Sequence, residues 1–199
     1  MRTLIITGPS GSGKTYLTKK LQNKFNSLVI ETDSYYRDDL FIKVLSKFMY
    51  DIYDRIISIK KKKLIETLNS ICNKDKEINL YNYDFRRKKS TILVKRNINS
   101  QIIILEGIFS HRLGIDYKKA INILCEEKIE ICYIRRLYRD RYQRGRTKDE
   151  VIQRFTKSWN LYYKYISEYI YNNQIITVNT NKKSSVQNLF YKLQELGIN

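Results

Sequence analysis

Eight residues near the start of the chain could do chemistry as a unit. Gly8, Pro9, Ser10, Gly11, Ser12, Gly13, Lys14 and Thr15 fill every fixed position of G-x-x-x-x-G-K-[ST]. Glycines let backbone N–H groups turn inward around an oxyanion, and a helix starting near Lys14 adds its positive dipole end. The Lys14 ammonium can then reach the β- and γ-phosphates of a nucleotide, and the Thr15 hydroxyl can ligate Mg²⁺. An apolar run precedes the motif and a helical pattern follows, which is the context it needs. The pattern implies a bound nucleoside triphosphate and leaves its fate open.

Two carboxylates bear on that fate. Asp33 follows "LVIET" and Glu106 ends "IIILE". Ligands of open α/β sheets sit at the carboxyl ends of the strands. There Glu106 could hold Mg²⁺ directly or through water, and Asp33 could accept a proton from a substrate hydroxyl. One acid after a strand often serves as a turn or cap residue, but two on separate strands facing one loop favour chemistry. No N-K-x-D pattern of nucleotide switches is present. A third feature is "RRLYRDRYQRGR", Arg135 to Arg146, in which six of twelve residues are arginine and Asp140 is the one acid. Like charges this dense repel one another. An anion must offset that repulsion, either an RNA backbone or the phosphates of a small ligand.

The elements that would position these residues follow from periodicity. "RTLIIT" (Arg2–Thr7), "LVIET" (Leu28–Thr32), "IIILEG" (Ile102–Gly107), "INILC" (Ile121–Cys125) and "QIITV" are short apolar strands. Leu17, Leu21 and Phe25 recur every four residues, as on a helix. The segment from Asp38 to Asn69 reads as mostly helical. "EINLYNYDF" and "TILVK" read as a hairpin around the basic turn Arg86–Lys89. A long helix is expected from about Glu127 to Tyr142, with Ile131, Ile134, Leu137 and Tyr138 as its core stripe and Gly145 as its interruption. Two further helices complete the chain. Strands alternating with helices predict an α/β fold with a mainly parallel sheet flanked by helices. Residues 1–199 are expected to form one domain, with a hairpin insertion at 81–97 and an arginine-rich lid at 135–154.

The chain has 199 residues and a net charge of +18, a balance that suits nucleic acid or another polyanion. An AT-rich coding sequence explains it as well, since Ala120 and Pro9 are the only alanine and proline while Ile, Asn, Lys and Tyr abound. No apolar run reaches membrane-spanning length and the first residues do not form a signal peptide. Cys72, Cys125 and Cys132 are odd in number and lack a CxxC, which suggests reduced thiols of an intracellular protein. A cytoplasmic setting, or the interior of an organelle with an AT-rich genome, is the expectation.

The ordered motifs "GPSGSGKT", "TDSYYR", "YDIYD", "YDF", "ILEGI" and "RRLYRDRYQRGR" together resemble the uridine–cytidine kinases of the phosphoribulokinase/uridine kinase group, over about the first four-fifths of the chain. The resemblance implies the P-loop NTPase fold, ATP and Mg²⁺ as cofactors, and phosphorylation of a pyrimidine nucleoside at its 5′-hydroxyl. By position, Asp33 matches the catalytic base, Tyr36 a substrate contact and Asp51 a ribose ligand. Tyr83 and Phe85 match walls of the base pocket, and Thr15 and Glu106 the metal-associated pair. Arg136, Arg139, Arg144 and Arg146 match lid arginines. The implied ATP site is the eight-residue loop with Tyr16, Arg139, Arg144 and Arg146, while Lys14 and Arg136 join Asp33 in catalysis.

The chain departs from that pattern at several positions. Ile52-Tyr53 replaces a His-Pro between two aspartates. Lys88 stands where the family reads the base edge with a histidine. Arg154 aligns with a nucleoside-recognising glutamine, although Gln153 is adjacent. The one histidine, His111, is expected on the rim. Lys88 and Arg154 near the acceptor keep open a kinase of a sugar phosphate or a vitamin precursor. The charge keeps open a nucleotide-responsive RNA-binding protein without turnover. The expected partner is a small hydroxyl-bearing substrate rather than nucleic acid or membrane, and the family is often oligomeric.

Overall fold

The computed structural model describes residues 1–49, 52–96, 98–114 and 119–198. Its main sheet has five parallel strands: β1 (Arg2–Thr7), β2 (Ser27–Glu31), β5 (Ile102–Glu106), β6 (Ile121–Cys125) and β7 (Ile175–Val178), ordered β2-β5-β1-β6-β7. Side chains alternate across a strand, so each strand feeds two layers. Ile102 and Ile104 pack with Leu17, Leu21, Leu189 and Leu193 on one face. Ile103 and Leu105 pack with Leu64, Ile71, Tyr162 and Ile166 on the other. Helices α1 (Lys14–Lys24) and α6 (Lys183–Glu195) cover the first face. Helices α3 (Lys61–Cys72) and α5 (Lys148–Asn172) contribute to the second. Burial on both faces is why the strands read as continuous apolar runs.

A separate antiparallel hairpin, β3 (Glu77–Asp84) and β4 (Lys89–Arg96), pairs Tyr83 with Ser90. Its first strand thus begins before residue 81. Its basic turn reaches helix α4 (Ile129–Arg144), where the Arg86 guanidinium donates to the carbonyls of Gln143 (2.8 Å) and Tyr142 (2.9 Å). These carbonyls belong to the last turn, which lacks intrahelical donors. Gly145 ends α4 in the left-handed region at φ 66, the backbone state that favours glycine. Helix α5 then starts on a capping box: Thr147 Oγ1 accepts from the Glu150 N–H, and the Glu150 carboxylate accepts from the Thr147 N–H.

Residues 38–69 are mostly helical, as expected, but in two separate helices. Helix α2 (Leu40–Phe48) and α3 are separated by short 3₁₀ turns, and Tyr36 bridges back to Ile59 in an isolated β contact. The inward face of α4 is not Ile131, Ile134, Leu137 and Tyr138. Ile134 and Tyr138 are exposed, and the buried residues are Cys132, Arg136 and Asp140. The i, i+4, i+8 spacing is that of one helix face, but its inward residues include the charged Arg136 and Asp140, which are satisfied by buried ion pairs beside the cavity.

Among the described residues no helix is long and apolar enough to cross a membrane. Cys125 and Cys132 are buried and Cys72 is exposed, all three as free thiols. Burial pushes the Cys125 thiol up to about 12 and the Cys132 thiol to about 11.

Candidate active site

The β1–α1 loop is held on three sides. Thr180 Oγ1, in the β7–α6 connection, donates to the Ser12 carbonyl at 3.1 Å. Arg135 donates to the Gly11 carbonyl at 3.1 Å, and Arg139 to Ser10 Oγ at 3.1 Å. The glycines permit this close fit. Gly11 and Gly13 both sit at φ +90. A Cβ on Gly11 would meet the Cys132 carbonyl oxygen at 2.3 Å, and one on Gly13 would meet Thr180 Oγ1 at 2.1 Å. Lys14 is buried and donates to the carbonyls of Gly8 (2.9 Å) and Pro9 (3.0 Å). Its ammonium is therefore oriented by the loop's own backbone. Ser10, Gly11, Gly13, Lys14, Thr15 and Tyr16 line a cavity of about 360 Å³, while Gly8, Pro9 and buried Ser12 form the frame behind it.

The acids predicted at strand ends meet on this cavity. Asp33 lies in the 3₁₀ turn after β2, and Glu106 closes β5; both line the cavity. Thr15 Oγ1 donates to the Glu106 carboxylate at 3.2 Å. Burial, opposed by Lys14 and reinforced by Glu31 and Asp33, pushes the Glu106 carboxyl up to about 7. A hydroxyl and a carboxylate side by side are hard oxygen donors that suit Mg²⁺, which keeps few protein ligands and several from phosphate and water. The Tyr36 hydroxyl donates to the Tyr53 carbonyl at 2.7 Å and approaches Asp33 Oδ1 at 3.4 Å.

Helix α4 covers the opposite wall. Asp140, fully buried, gathers Arg146 (2.6 Å), Arg139 (3.0 Å), Arg136 (3.5 Å) and Arg144 (3.6 Å). Burial alone would raise its carboxyl. The guanidiniums outweigh that and hold it at about 2. Arg136 is buried, donates to Ser158 Oγ at 2.8 Å and pairs with Asp54 at 3.5 Å. Arg144 lies over the Phe85 ring at 3.7 Å, a cation–π contact. Burial lowers the Arg144 guanidinium to about 10, so it stays charged at neutral pH. Arg154 also lines the cavity.

Not every expected residue belongs to this wall. Lys88 does not line the cavity: it sits exposed in the hairpin turn at φ 51, because the turn geometry points it to solvent. Tyr83 is buried behind Tyr36 and Phe85, edge-on to both at 5.5 and 5.3 Å, so it supports the wall without lining it. His111 is no rim residue. It is buried, hydrogen-bonded through Nδ1 to Thr7 Oγ1 at 2.9 Å and flanked by Tyr162 and Tyr169. Asp51 lies outside the described residues. The cavity adds residues that periodicity did not reveal: Tyr53, Asp54, Glu31, Gln143 and Arg135. For Asp54 a signal existed in the second aspartate of "YDIYD". For Arg135 the signal was its place in the arginine run; its partners Gly11 and Asn181 are remote in sequence and could not be read from it.

A phosphate cradle with cations above it and an acid at its side serves phosphoryl transfer to a small acceptor. Fold and site together define a P-loop small-molecule kinase. The model of the phosphoribulokinase / uridine kinase family matches residues 4–184, and the chain belongs to that family. It is an enzyme, a phosphotransferase with a hydroxyl acceptor. The uridine kinase of Clostridium botulinum (strain Langeland) is 37% identical over 166 residues, covering 75% of this chain and 74% of that protein. The uridine kinase of Halalkalibacterium halodurans is 33% identical over 160 residues, covering 76% and 73%. The structure of deoxyadenosine kinase from M. mycoides with bound dATP superposes with a TM-score of 0.55 over 96% of this chain and 99% of that one. At 12% identity, this last likeness is one of fold.

Proposed function

We propose that the protein transfers the γ-phosphoryl group of ATP, as its Mg²⁺ complex, to the 5′-hydroxyl of a pyrimidine nucleoside. The observation that supports this reading most is that Lys14 and Thr15 of the phosphate loop line the same cavity as Asp33 and Tyr36. The relatives named uridine kinase point to the acceptor.

Phosphoryl transfer asks for positioning and charge neutralisation more than for covalent help. The loop backbone and Lys14 bind the β- and γ-phosphates. Thr15 and Glu106 would hold Mg²⁺, which supplies charge neutralisation at the phosphate oxygens. Asp33 takes the proton of the acceptor hydroxyl as its oxygen bonds to the γ-phosphorus and the bridging oxygen leaves with ADP. Arg136, Arg139, Arg144 and Arg146 offset charge on the equatorial oxygens. With α4 closed over the cavity, water is kept from the γ-phosphate. Aromatic edges of Tyr36, Tyr53 and Phe85 bound the acceptor side.

A second reading is favoured by two observations. Arg154 lines the cavity, and Arg144 already covers the Phe85 face that a flat base would use. Both would suit an acceptor alcohol that carries its own anion. Phosphoryl transfer from ATP to uridine, cytidine and phosphorylated sugars, measured side by side, separates the two. Selective turnover of uridine or cytidine supports the first reading, and turnover confined to an anionic acceptor replaces it with the second.

A further inference from the structure

We infer that Asp140 is a positioning residue of phosphoryl transfer: it presets the four lid arginines in one phosphate-accepting array before nucleotide arrives.

Its geometry divides the arginines into two pairs. Arg146 and Arg139 are bound closely, at 2.6 and 3.0 Å, and Arg139 continues to Ser10 of the phosphate loop. Arg136 and Arg144 are held more loosely, at 3.5 and 3.6 Å, and continue to Asp54 and to the Phe85 ring. One carboxylate thus joins an arginine that reaches the phosphate loop to two that reach Asp54 and Phe85. The Arg146 N–H also donates to the Asp140 carbonyl at 3.0 Å, so the chain folds back past Gly145 onto the same residue. An exposed carboxylate could not hold four guanidiniums in register, because water would compete. At zero exposure Asp140 has no such competitor.

Asp140 points its charge at the arginines, not into the cavity, and it does not line that cavity. It acts through the guanidiniums and touches no phosphate. A simple counter-charge would do the opposite of a positioning group. It would weaken anion binding, and its removal would strengthen binding of any polyphosphate. A positioning group instead favours the ligand whose phosphates match the preset array, and its removal scatters that array.

The test compares Mg²⁺·AMP-PNP and inorganic tripolyphosphate by calorimetry on wild type, Asp140→Asn and Asp140→Glu. Neither probe involves an acceptor, so the outcome is independent of the acceptor's identity. For Asp140→Asn the expected result is about tenfold or more weaker AMP-PNP binding, with tripolyphosphate binding unchanged or tighter. Asp140→Glu keeps the charge but shifts it by a methylene, and it should recover part of the loss. A double-mutant cycle with Arg146→Gln should show coupling, the pair losing less than the sum of the singles. AMP-PNP affinity within twofold of wild type in Asp140→Asn overturns the inference, as does joint tightening for both probes. If Asp140→Asn does not fold, Asp140→Glu decides alone: full AMP-PNP affinity in that variant refutes a positional role.

Discussion

The single histidine makes the fold's acid sensitivity measurable residue by residue. His111 is 4% exposed, and burial, with Arg112 adding to it, lowers its pKa from the ordinary 6.5 to about 3. The ring is therefore neutral in the folded protein and protonated in the unfolded chain across the interval between those values. Below about pH 6.5 the unfolded state binds a proton that the folded state does not, so stability falls as pH falls, until the ring titrates near 3. At pH 5 the gap is about 1.5 pH units at about 1.4 kcal/mol each, or roughly 2 kcal/mol of lost stability. His111→Gln keeps a hydrogen-bonding group for Thr7 and cannot titrate there. Urea unfolding of both proteins at about pH 7.5 and about pH 5 isolates the term, because all shared carboxylate contributions cancel in the double difference. Wild type should lose about 2 kcal/mol more than the variant. Proton NMR of the one His Hε1 gives a direct check. A folded-state titration midpoint between about 6 and 7, or equal pH dependence of the two proteins, would refute the reasoning.

Asp33→Asn should lower turnover by about 100-fold or more while Mg²⁺·AMP-PNP binding stays within about threefold; turnover within tenfold of wild type would show that Asp33 is not the base. Gly13→Ala should abolish detectable nucleotide binding, since the new Cβ would lie 2.1 Å from Thr180 Oγ1 at a φ of +90; calorimetry on a folded variant reads this. Under native conditions iodoacetamide should label Cys72 and leave Cys125 and Cys132 unmodified, because burial raises those two thiols to about 12 and about 11; mass spectrometry of the peptides decides.

The strands and the phosphate loop were legible because their signals are local. An apolar run buried on both faces and a glycine-rich turn before a helix each lie within a dozen residues. The inward face of α4 was not legible. Its apolar residues Ile134 and Tyr138 look like a core stripe, yet they face solvent, while Arg136 and Asp140 are buried. Hydrophobic spacing predicts which face turns inward only when the interior is apolar. Here the inward face meets buried ion pairs beside the cavity, and charge satisfaction decided the orientation. Lys88 illustrates the same limit: alignment set it beside the acceptor, but a left-handed turn residue at a hairpin tip points outward.

The sequence by itself determined the chemistry available: a phosphate cradle at Gly8–Thr15, acids after two strands and a run of arginines needing an anion. Only the tertiary structure decided how those arginines are organised. Asp54, Ser158, Ser10, Phe85 and the buried Asp140 come from five separate stretches of chain, and they meet because the parallel sheet and α4 bring distant segments to one cavity. Electrostatic interactions of this kind depend on separation in space and on the exclusion of water, and neither quantity is written in the order of residues.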